Sequence, residues 1–190
     1  MTAVIEVKER PILFSGPMVR AILADTKTQT RPVITPQPEL YDHDGTPCVR
    51  WRGRVDCVAQ LMDDYTAPHC PYQGRLWVRE TWAYHFGRLL YRADHEPESY
   101  YYDAKGWKPS IHMPRELSRI FLDVVNVRVE RLWEISQGDA AAEGVDYIPQ
   151  APAALDHRSA FAGLWNRINA NRGYSWESNP WVWAITFKRI

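Results

Sequence analysis

Alternating apolar and polar positions predict two strands, one near the middle of the chain and one at its end. Residues 74–83 place Leu76 and Val78 on one face together with Glu80, because side chains two residues apart share a face of a strand. Residues 180–190 alternate in the same way and predict a strand with one strongly buried face. The apolar members of that face are Trp181, Trp183, Ile185 and Phe187.

A longer stretch, residues 119–132, also predicts a strand, but its hydrophobic phase changes halfway. The alternating residues on the first parity are Ile120, Leu122 and Val124, and those on the second are Val125, Val127 and Val129. A β-bulge at Val124–Val125 reconciles the two halves, and such bulges are common at the corners of barrels.

A period near 3.6 residues predicts helices, the first of them directly after a short apolar strand at residues 10–14. Ser15 supplies a capping hydroxyl and Pro17 lies in the first turn, where its missing N–H costs nothing. This helix is predicted to end near Asp25–Thr26. Another helix is predicted over residues 159–171. Its apolar face consists of Phe161, Leu164, Trp165 and Ile168.

A short third helix is predicted between Ser136 and Gly144. Ser136 is the N-cap, Asp139 follows three residues later as in a capping box, and Gly144 ends the helix. Glu143 is then the last helical residue, where a carboxylate opposes the negative end of the helix dipole. Its position therefore calls for a reason outside the helix.

Two stretches, residues 35–73 and 85–109, are predicted to be irregular insertions because they are rich in proline or in tyrosine and charge. Residues 49–58 within the first predict a hairpin with Gly53 near its turn. All three cysteines, Cys48, Cys57 and Cys70, also lie in the first insertion. Their spacing matches no standard zinc motif, so buried, packed thiols are the favoured interpretation and no metal is predicted.

The densest polar stretch follows the first helix, where a run of hydroxyl side chains surrounds Lys27 and ends at Arg31 and Pro32. Side chains of this kind suit the wall of a pocket. The alternative is a solvated helix C-terminus, where Lys27 and Arg31 answer the negative end of the dipole. Glu80 presents the same choice between a pocket and a strand end in water.

Further candidates are two tryptophans and a loop bracketed by prolines. Trp77 and Trp82 are able to stack on a base, although core packing explains each of them as well. Residues 107–115 are predicted to be extended, but not a central strand. This loop carries a hydroxyl, an imidazole and a guanidinium on Ser110, His112 and Arg115.

Composition narrows the class of protein. The chain has 190 residues, 45% of them apolar, which predicts one domain over residues 10–190 after a flexible lead-in at 1–9. The 23 basic and 23 acidic residues balance, which argues against a general nucleic-acid coat but not against a local groove for one nucleotide. The sequence has neither a membrane-length apolar run nor a signal-peptide core, so we expect a cytoplasmic protein.

Four stretches together resemble the ASCH domain, a member of the PUA-like superfamily, in the form carried by phages and prophages. They are ILADTKTQTR (22–31), RLWVRETW (75–82), PSIHMPR (109–115) and NPWVWAITF (179–187). The resemblance implies an α+β fold, a PUA-like mixed β-barrel with flanking helices and the two insertions. It also implies a protein of the bacterial host cytoplasm that is encoded by a phage or prophage.

The ASCH signature is matched at Lys27 and Thr30. Asp25 stands where a glycine is usual, and Pro32 stands where an arginine is usual, with Arg31 next to it. Small bacterial ASCH proteins that hydrolyse the acetyl amide of N-acetylcytidine use a lysine, a threonine and a glutamate. The resemblance therefore implies that Lys27, Thr30 and Glu143 are the catalytic residues of an amidohydrolase, without a cofactor.

The implied substrate is a nucleoside or single-stranded RNA. The candidate substrate-binding residues are Arg31, Trp77, Arg79, Glu80, Trp82, Ser110, His112 and Arg115. Three alternatives remain open. They are a non-catalytic reader of RNA or of a modified base, a ribonuclease that uses Lys27, His112 and Arg115, and a phage protein that binds a host protein through the insertions. The enzyme predicts that the catalytic trio converges around a cavity.

Overall fold

The computed structural model describes residues 8–44, 46–51, 54–57, 71–72, 74–95, 106–145 and 156–190. These residues form a mixture of strands and helices, which confirms the α+β class. The strands are β1 (Glu9–Leu13), β2 (Gln29–Thr30), β3 (Glu39–His43), β4 (Thr46–Trp51), β5 (Arg54–Cys57), β6 (Arg75–Arg79), β7 (Trp82–His85), β8 (Arg88–Tyr91), β9 (Phe121–Arg131) and β10 (Trp181–Arg189). The helices are α1 (Gly16–Leu23), α2 (Gln137–Ala142) and α3 (His157–Asn169), with short 3-10 turns between elements.

The chain divides into two compact units. The first unit comprises residues 1–27, 72–124 and 187–190, and the second comprises residues 28–71 and 125–186. The single domain over residues 10–190 stays a prediction. Within the described residues, the strands form no closed barrel. No described helix has the length and apolar character that crossing a membrane requires.

The first unit is built on β6, which pairs in parallel with β1 and antiparallel with β9. Helix α1 adds the buried side chains of Val19 and Ile22 to this unit. Ser15 is at its N-cap and Pro17 lies in the first turn as predicted, but the Ser15 side chain makes no capping hydrogen bond. The capping part of that prediction is therefore wrong. The Ser15 backbone carbonyl instead accepts from the Val19 N–H at 2.9 Å.

The strand predicted over residues 74–83 is interrupted. β6 ends at Arg79, and after Glu80 and Thr81 the chain starts the β7–β8 hairpin. Part of the predicted irregular insertion at 85–109 is thus regular structure. Residues 1–7 of the predicted lead-in at 1–9 and residues 96–105 of this insertion lie outside the described residues.

The loop predicted to be extended over residues 107–115 contains 3-10 turns at Ser110–His112 and Arg115–Leu117, so that prediction is wrong. A proline precedes each turn, with φ of −55° at Pro109 and −76° at Pro114. Because proline fixes φ near this value, each ring suits the entry to a turn as well as it suits an extended segment.

The second unit contains two sets of strands. β2 pairs antiparallel with β10, and β3, β4 and β5 form an antiparallel meander in that order. The insertion predicted to be irregular at 35–73 therefore contains a regular sheet. The predicted hairpin is confirmed by the pairing of Trp51 with Arg54, whereas Gly53 and residues 58–70 lie outside the described residues.

Both faces of β10 are buried from Trp181 to Ile185, whereas the sequence predicted one buried face. Trp183 contacts Trp51 of β4 edge-on, with ring centroids 5.7 Å apart. Val182 points to the other side, because successive side chains alternate across a strand. It packs there in a core with Leu132, Ile135, Ala140, Phe161 and Trp165.

Helices α2 and α3 begin at polar caps. The Ser136 hydroxyl accepts from the Asp139 N–H at 3.0 Å, as predicted. α3 begins earlier than predicted, because the Asp156 side chain caps it through the Ser159 N–H at 2.7 Å. Its buried residues are Phe161, Trp165 and Asn169. Ile168 is 41% exposed, so its assignment to the buried face is wrong.

Strand β9 lies within the predicted range, and its burial changes phase along its length. Leu122 is buried near its start and Val129 near its end, on opposite parities. The phase change is thereby confirmed. The bulge at Val124–Val125 stays a prediction.

Candidate functional site

The second unit holds one arginine among three carboxylates. Arg31 Nε donates to Glu130 Oε1 at 2.8 Å, and Arg31 Nη1 donates to Glu143 Oε1 at 3.0 Å. Asp139 Oδ2 lies 3.6 Å from Arg31 Nη2, close enough for an ion pair. The Arg31 side chain is 0% exposed, so this ion-pair cluster excludes water from the guanidinium.

Separate elements of the second unit bring these groups together. Arg31 directly follows β2, where Thr30 pairs with Ile185 of β10. Glu130 lies near the end of β9, and α2 carries Asp139 and then Glu143 as its C-cap. The Thr28 N–H donates to the Ala142 carbonyl at 2.8 Å, which fixes the start of this segment beside the end of α2.

Arg31 supplies the reason that the Glu143 position called for. A carboxylate at a helix C-terminus is unfavourable beside the dipole, and burial adds a desolvation cost. The charge-assisted hydrogen bond from the Arg31 guanidinium offsets both.

The cluster also contains a second cation and a buried donor nitrogen that makes no hydrogen bond to a described residue. Three carboxylates surround Arg31, and Arg128 adds a second cation with Nη2 at 3.4 Å from Glu130 Oε2 and 3.7 Å from Asp139 Oδ1. Arg31 Nη2 is buried and makes no hydrogen bond to any described residue. Asp139 and Arg128 are 22% and 41% exposed in their side chains, so solvent reaches the cluster from their side.

Asp139 is held in its ionised form. Burial alone would raise the pKa of its carboxyl, but hydrogen bonds from Gln29 and Ser136, together with Arg31 and Arg128, lower it below its ordinary value. The Gln29 amide donates to Asp139 Oδ1 at 2.7 Å, and the Ser136 hydroxyl donates to Oδ2 at 2.9 Å. The cluster therefore presents a fixed negative charge at its solvent side.

This arrangement pairs strong acceptors with a strong donor. Carboxylates accept hydrogen bonds from the exocyclic amino group of cytosine, and guanidinium N–H groups donate to carbonyl oxygens. Within a water-poor site, such interactions are stronger than in bulk solvent. The cluster thus combines strong acceptors with a strong donor, and solvent reaches it on the side of Asp139 and Arg128.

The structure brings Arg31 and Glu143 together, and it buries Thr30 and Glu143 of the predicted catalytic trio within the second unit. Lys27 belongs to the first unit and is buried, with Nζ 5.5 Å from the centre of the Phe14 ring. Convergence of the complete trio around a cavity stays a prediction.

The backbone conformation at Asp25 shows how aspartate fits where the ASCH signature usually has glycine. Its φ of 56° lies in the left-handed region that glycine adopts easily and that aspartate tolerates better than most residues. The substitution of aspartate for glycine is therefore compatible with the turn. Its carboxylate pairs with Arg189, also of the first unit, at 3.0 Å.

Glu80 lies in a second cluster, within the first unit. Both oxygens of its buried carboxylate accept from Arg119, at 2.8 Å from Nε and 3.0 Å from Nη2. Asp94 accepts from Nη1 and Nη2 of the same guanidinium, each at 2.7 Å. The guanidinium lies 4.0 Å above the centre of the Tyr91 ring. The interpretation of Glu80 as a strand end in water is therefore wrong, and its substrate contact stays a prediction.

Burial and ion pairing shift the pKa values of Glu80 and Arg119 in opposite directions. Burial raises the pKa of Glu80 above its ordinary value, although Arg119 opposes the rise. Burial also opposes the charge of Arg119, but the hydrogen bonds that its guanidinium donates to Glu80 and Asp94 outweigh this effect and raise the pKa of the guanidinium. Arg119 is accordingly fixed as a cation between two carboxylates.

The other candidates of the first unit lie in separate surroundings. The Arg79 guanidinium lies 4.7 Å from the Trp77 ring centre, and Lys108 Nζ lies 4.6 Å from that of Trp82. Trp77 and Trp82 are both buried, which favours the core-packing interpretation of each. Ser110 is half-buried and His112 is exposed in the same 3-10 turn, and Arg115 begins the next turn.

Several members of the two clusters were not among the site residues predicted from the sequence. These are Glu130, Asp139 and Arg128 in the second unit, and Arg119, Asp94 and Tyr91 in the first. Glu130 carried a usable signal, since a carboxylate between Val129 and Leu132 at the end of an apolar strand is unusual. Arg119 and Asp94 carried none, because 25 residues separate them in the sequence.

Comparison with protein families, with curated proteins and with solved structures finds no match to the chain. Among the described residues, no group of three or more His, Cys, Asp or Glu side chains is placed to hold a metal ion. Cys48 is buried, Cys57 is its register partner on β5, and Cys70 lies outside the described residues.

Proposed function

We propose that the chain is a nucleoside- or RNA-directed protein of the ASCH type, with a PUA-like fold, that removes the acetyl group of N-acetylcytidine. The observation that carries the proposal is the Arg31 cluster, in which a buried guanidinium lies beside three carboxylates and one of its nitrogens has no hydrogen-bond partner within the described part of the chain. A cluster built only for stability would satisfy such a donor, since an unpaired buried N–H is costly.

The chemistry of the cluster matches the reaction. Hydrolysis adds water across the amide, breaks the bond between the acyl carbon and the base nitrogen, and yields acetate and the free amino group. In this proposal, Glu143 accepts the proton of the attacking water and returns it to the leaving nitrogen. Arg31 Nη2 is a donor suited to the acyl oxygen, where negative charge develops in the transition state. The resemblance implies Lys27 and Thr30 as the other catalytic residues: Lys27 is a candidate base or nucleophile, and Thr30 a candidate nucleophile or hydrogen-bond donor.

A non-catalytic reader is the second candidate. Its specific support is that Arg31 already engages Oε1 of Glu143, so part of the carboxylate's capacity as a base is used within the protein. In this case the carboxylates accept from the amino group of a cytosine base, and Arg31 donates to its carbonyl oxygen. Both candidates use the same residues and differ in turnover.

The test is an assay of purified protein with N-acetylcytidine, free and within RNA, in which released cytidine and acetate are measured. We expect turnover by the native chain, a loss of about 100-fold or more in Glu143→Gln through loss of the general base, and a loss in Thr30→Val. Glu177→Gln is the matched control, because this carboxylate is exposed and lies outside the cluster in the same unit. Thermal melts of all variants separate lost chemistry from lost folding.

The outcomes separate the candidates. Turnover that survives Glu143→Gln in a folded protein contradicts the proposed site. Absence of turnover in the native chain, with binding of N-acetylcytidine that Glu143→Gln abolishes, establishes the reader. Absence of both turnover and binding contradicts both candidates.

A further inference from the structure

The first unit contains an open depression of about 330 Å³ that lies apart from the Arg119 cluster. It is lined by Glu9, Arg75, Arg115, Phe121 and Ile190. Small-molecule sites typically begin at this volume. Two guanidinium groups, one carboxylate, one aromatic ring and one aliphatic side chain therefore meet at a surface that a ligand can reach.

A single carboxylate holds the two arginines. Arg115 Nε and Nη2 both contact Glu9 Oε2, and Arg75 Nη1 lies 3.5 Å from Glu9 Oε1. Arg75 also contacts Asp123 through Nε at 3.1 Å. Glu9 thus occupies the position in which two guanidinium groups would bind the oxygens of an external anion.

The contacts of Glu9 are weak enough to be exchanged. The side chains of Arg75 and Arg115 are 32% and 50% exposed, and ion pairs in such surroundings contribute about 0–1 kcal/mol. Displacing Glu9 toward solvent frees the Arg115 guanidinium from its contacts with Glu9 and leaves Arg75 in contact with Asp123, so both guanidinium groups then face the depression.

The apolar part of the lining adds a second requirement for the ligand, namely an apolar or flat group. The Arg115 guanidinium lies 5.3 Å from the centre of the Phe121 ring, which keeps charge and ring adjacent. Ile190 is 58% exposed and supplies further apolar surface. A ligand that matches both parts combines a multiply charged anion with a flat or apolar group.

We propose that this depression binds a phosphomonoester that carries a flat apolar group, and that Glu9 is an internal competitor for the same two arginines. A phosphate dianion offers three acceptor oxygens and about twice the charge of a carboxylate, so it competes effectively for paired guanidinium groups. This inference concerns the first unit and does not depend on the amidohydrolase proposal.

Calorimetric titration with phenyl phosphate tests the site. Glu9→Gln keeps the shape of the side chain and removes its charge, and we expect affinity to rise by about tenfold, or 1.4 kcal/mol. Arg115→Gln is expected to lower affinity by a similar factor. Arg88→Gln, which removes an exposed cation from the β7–β8 hairpin of the same unit, is the control and is expected to leave affinity within about twofold.

Two results would overturn the inference. One is a Glu9→Gln variant that is folded but binds phenyl phosphate no more tightly than the native chain. The other is an Arg115→Gln variant that loses no more affinity than Arg88→Gln, because binding would then reflect general charge. Equal affinity for inorganic phosphate and phenyl phosphate would contradict the apolar part of the site.

The same titration identifies the source of the phosphomonoester. One arm uses cytidine 5′-monophosphate, and another uses an oligonucleotide with a 5′-phosphate beside the same oligonucleotide with a 5′-hydroxyl. Binding of the mononucleotide alone supports a free ester, and binding that requires the 5′-phosphate supports a nucleic-acid end. Equal binding of the two oligonucleotides contradicts phosphomonoester recognition.

Discussion

The first unit places Arg119 between two carboxylates, and the second unit places Arg31 among three. Arg119 makes four hydrogen bonds to Glu80 and Asp94 that use all three of its nitrogens. Arg31 makes two, and its Nη2 has no hydrogen-bond partner among the described residues.

This difference indicates a structural role for the Arg119 cluster and a functional role for the Arg31 cluster. Arg119 is 26% exposed and stacks on Tyr91, so it has the paired geometry of a structural clamp. Arg31 is fully buried among three carboxylates. Burying a charged group without completing its hydrogen bonds costs stability, and such sites are frequent where proteins bind ligands or perform chemistry.

Removal of Arg31 is expected to have the largest effect on stability. Arg31→Met keeps the length of the side chain and removes the Arg31 cation from the buried carboxylates of Glu130 and Glu143, at a cost of about 3–5 kcal/mol. Urea unfolding at pH 7 measures this cost. A loss below about 1 kcal/mol would show that the carboxylates find other compensation, and it would contradict the account of this cluster.

Removal of Arg119 is expected to lower the free energy of unfolding by less, about 2–3 kcal/mol. Water reaches the Asp94 carboxylate, whereas the Glu80 carboxylate is left deeply buried. The informative companion is Glu80→Gln in the Arg119→Met background. If the buried charge of Glu80 causes the loss, the second substitution restores part of the stability. The comparison of the two clusters fails if Arg119→Met is as damaging as Arg31→Met.

Removing the N-cap of α2, next to the Arg31 cluster, is expected to have a smaller effect on stability. Ser136→Ala removes the acceptor of the Asp139 N–H and the donor to the Asp139 carboxylate, so we expect a loss of about 1 kcal/mol. Ser178→Ala is the control, because its exposed hydroxyl donates to the carbonyl of Ser175 at 2.7 Å. Equal urea midpoints for the two variants would contradict the capping role.

The pH dependence of stability is expected to have opposite signs at Asp139 and Glu80. The folded-state pKa of Asp139 is lowered from 3.8, so its contribution is present above that value and is lost as the pH falls. The folded-state pKa of Glu80 is raised from 4.5, so its contribution is greatest below that value and is lost as the pH rises through the folded-state pKa.

Unfolding measured from pH 3 to pH 7 tests both signs. We expect Asp139→Asn to flatten the loss of stability in acid and Glu80→Gln to remove part of the decline above pH 4.5. Slopes that change in the same direction in both variants would contradict the assignment.

The sequence predicted local structure well where a local cause exists. Ser136 and Asp139 predicted the start of α2, and Gly144, with φ of 75°, predicted its end. The predicted face of α3 failed at Ile168, because the elements that pack against a helix decide which of its residues are buried.

The ion-pair clusters were only partly accessible to sequence reasoning. Glu143 stood out because it opposes a helix dipole, but its partner Arg31 lies 112 residues away. Glu80 stood out on an apolar strand face, and Arg119 lies 39 residues away. Periodicity and capping describe neighbours in sequence, so they identify which charge needs a partner but not which residue supplies it.

The most direct test of the central claim compares the two arginines in one sample. Protein labelled with ¹⁵N-arginine is titrated with N-acetylcytidine, and the Nε–H signals of Arg31 and Arg119 are assigned with Arg31→Lys and Arg119→Lys. We expect the Arg31 signal to shift in proportion to bound ligand while the Arg119 signal stays in place. A shift of Arg119 with a stationary Arg31, or no shift of either at saturating ligand, would contradict the claim that the Arg31 cluster is the binding site.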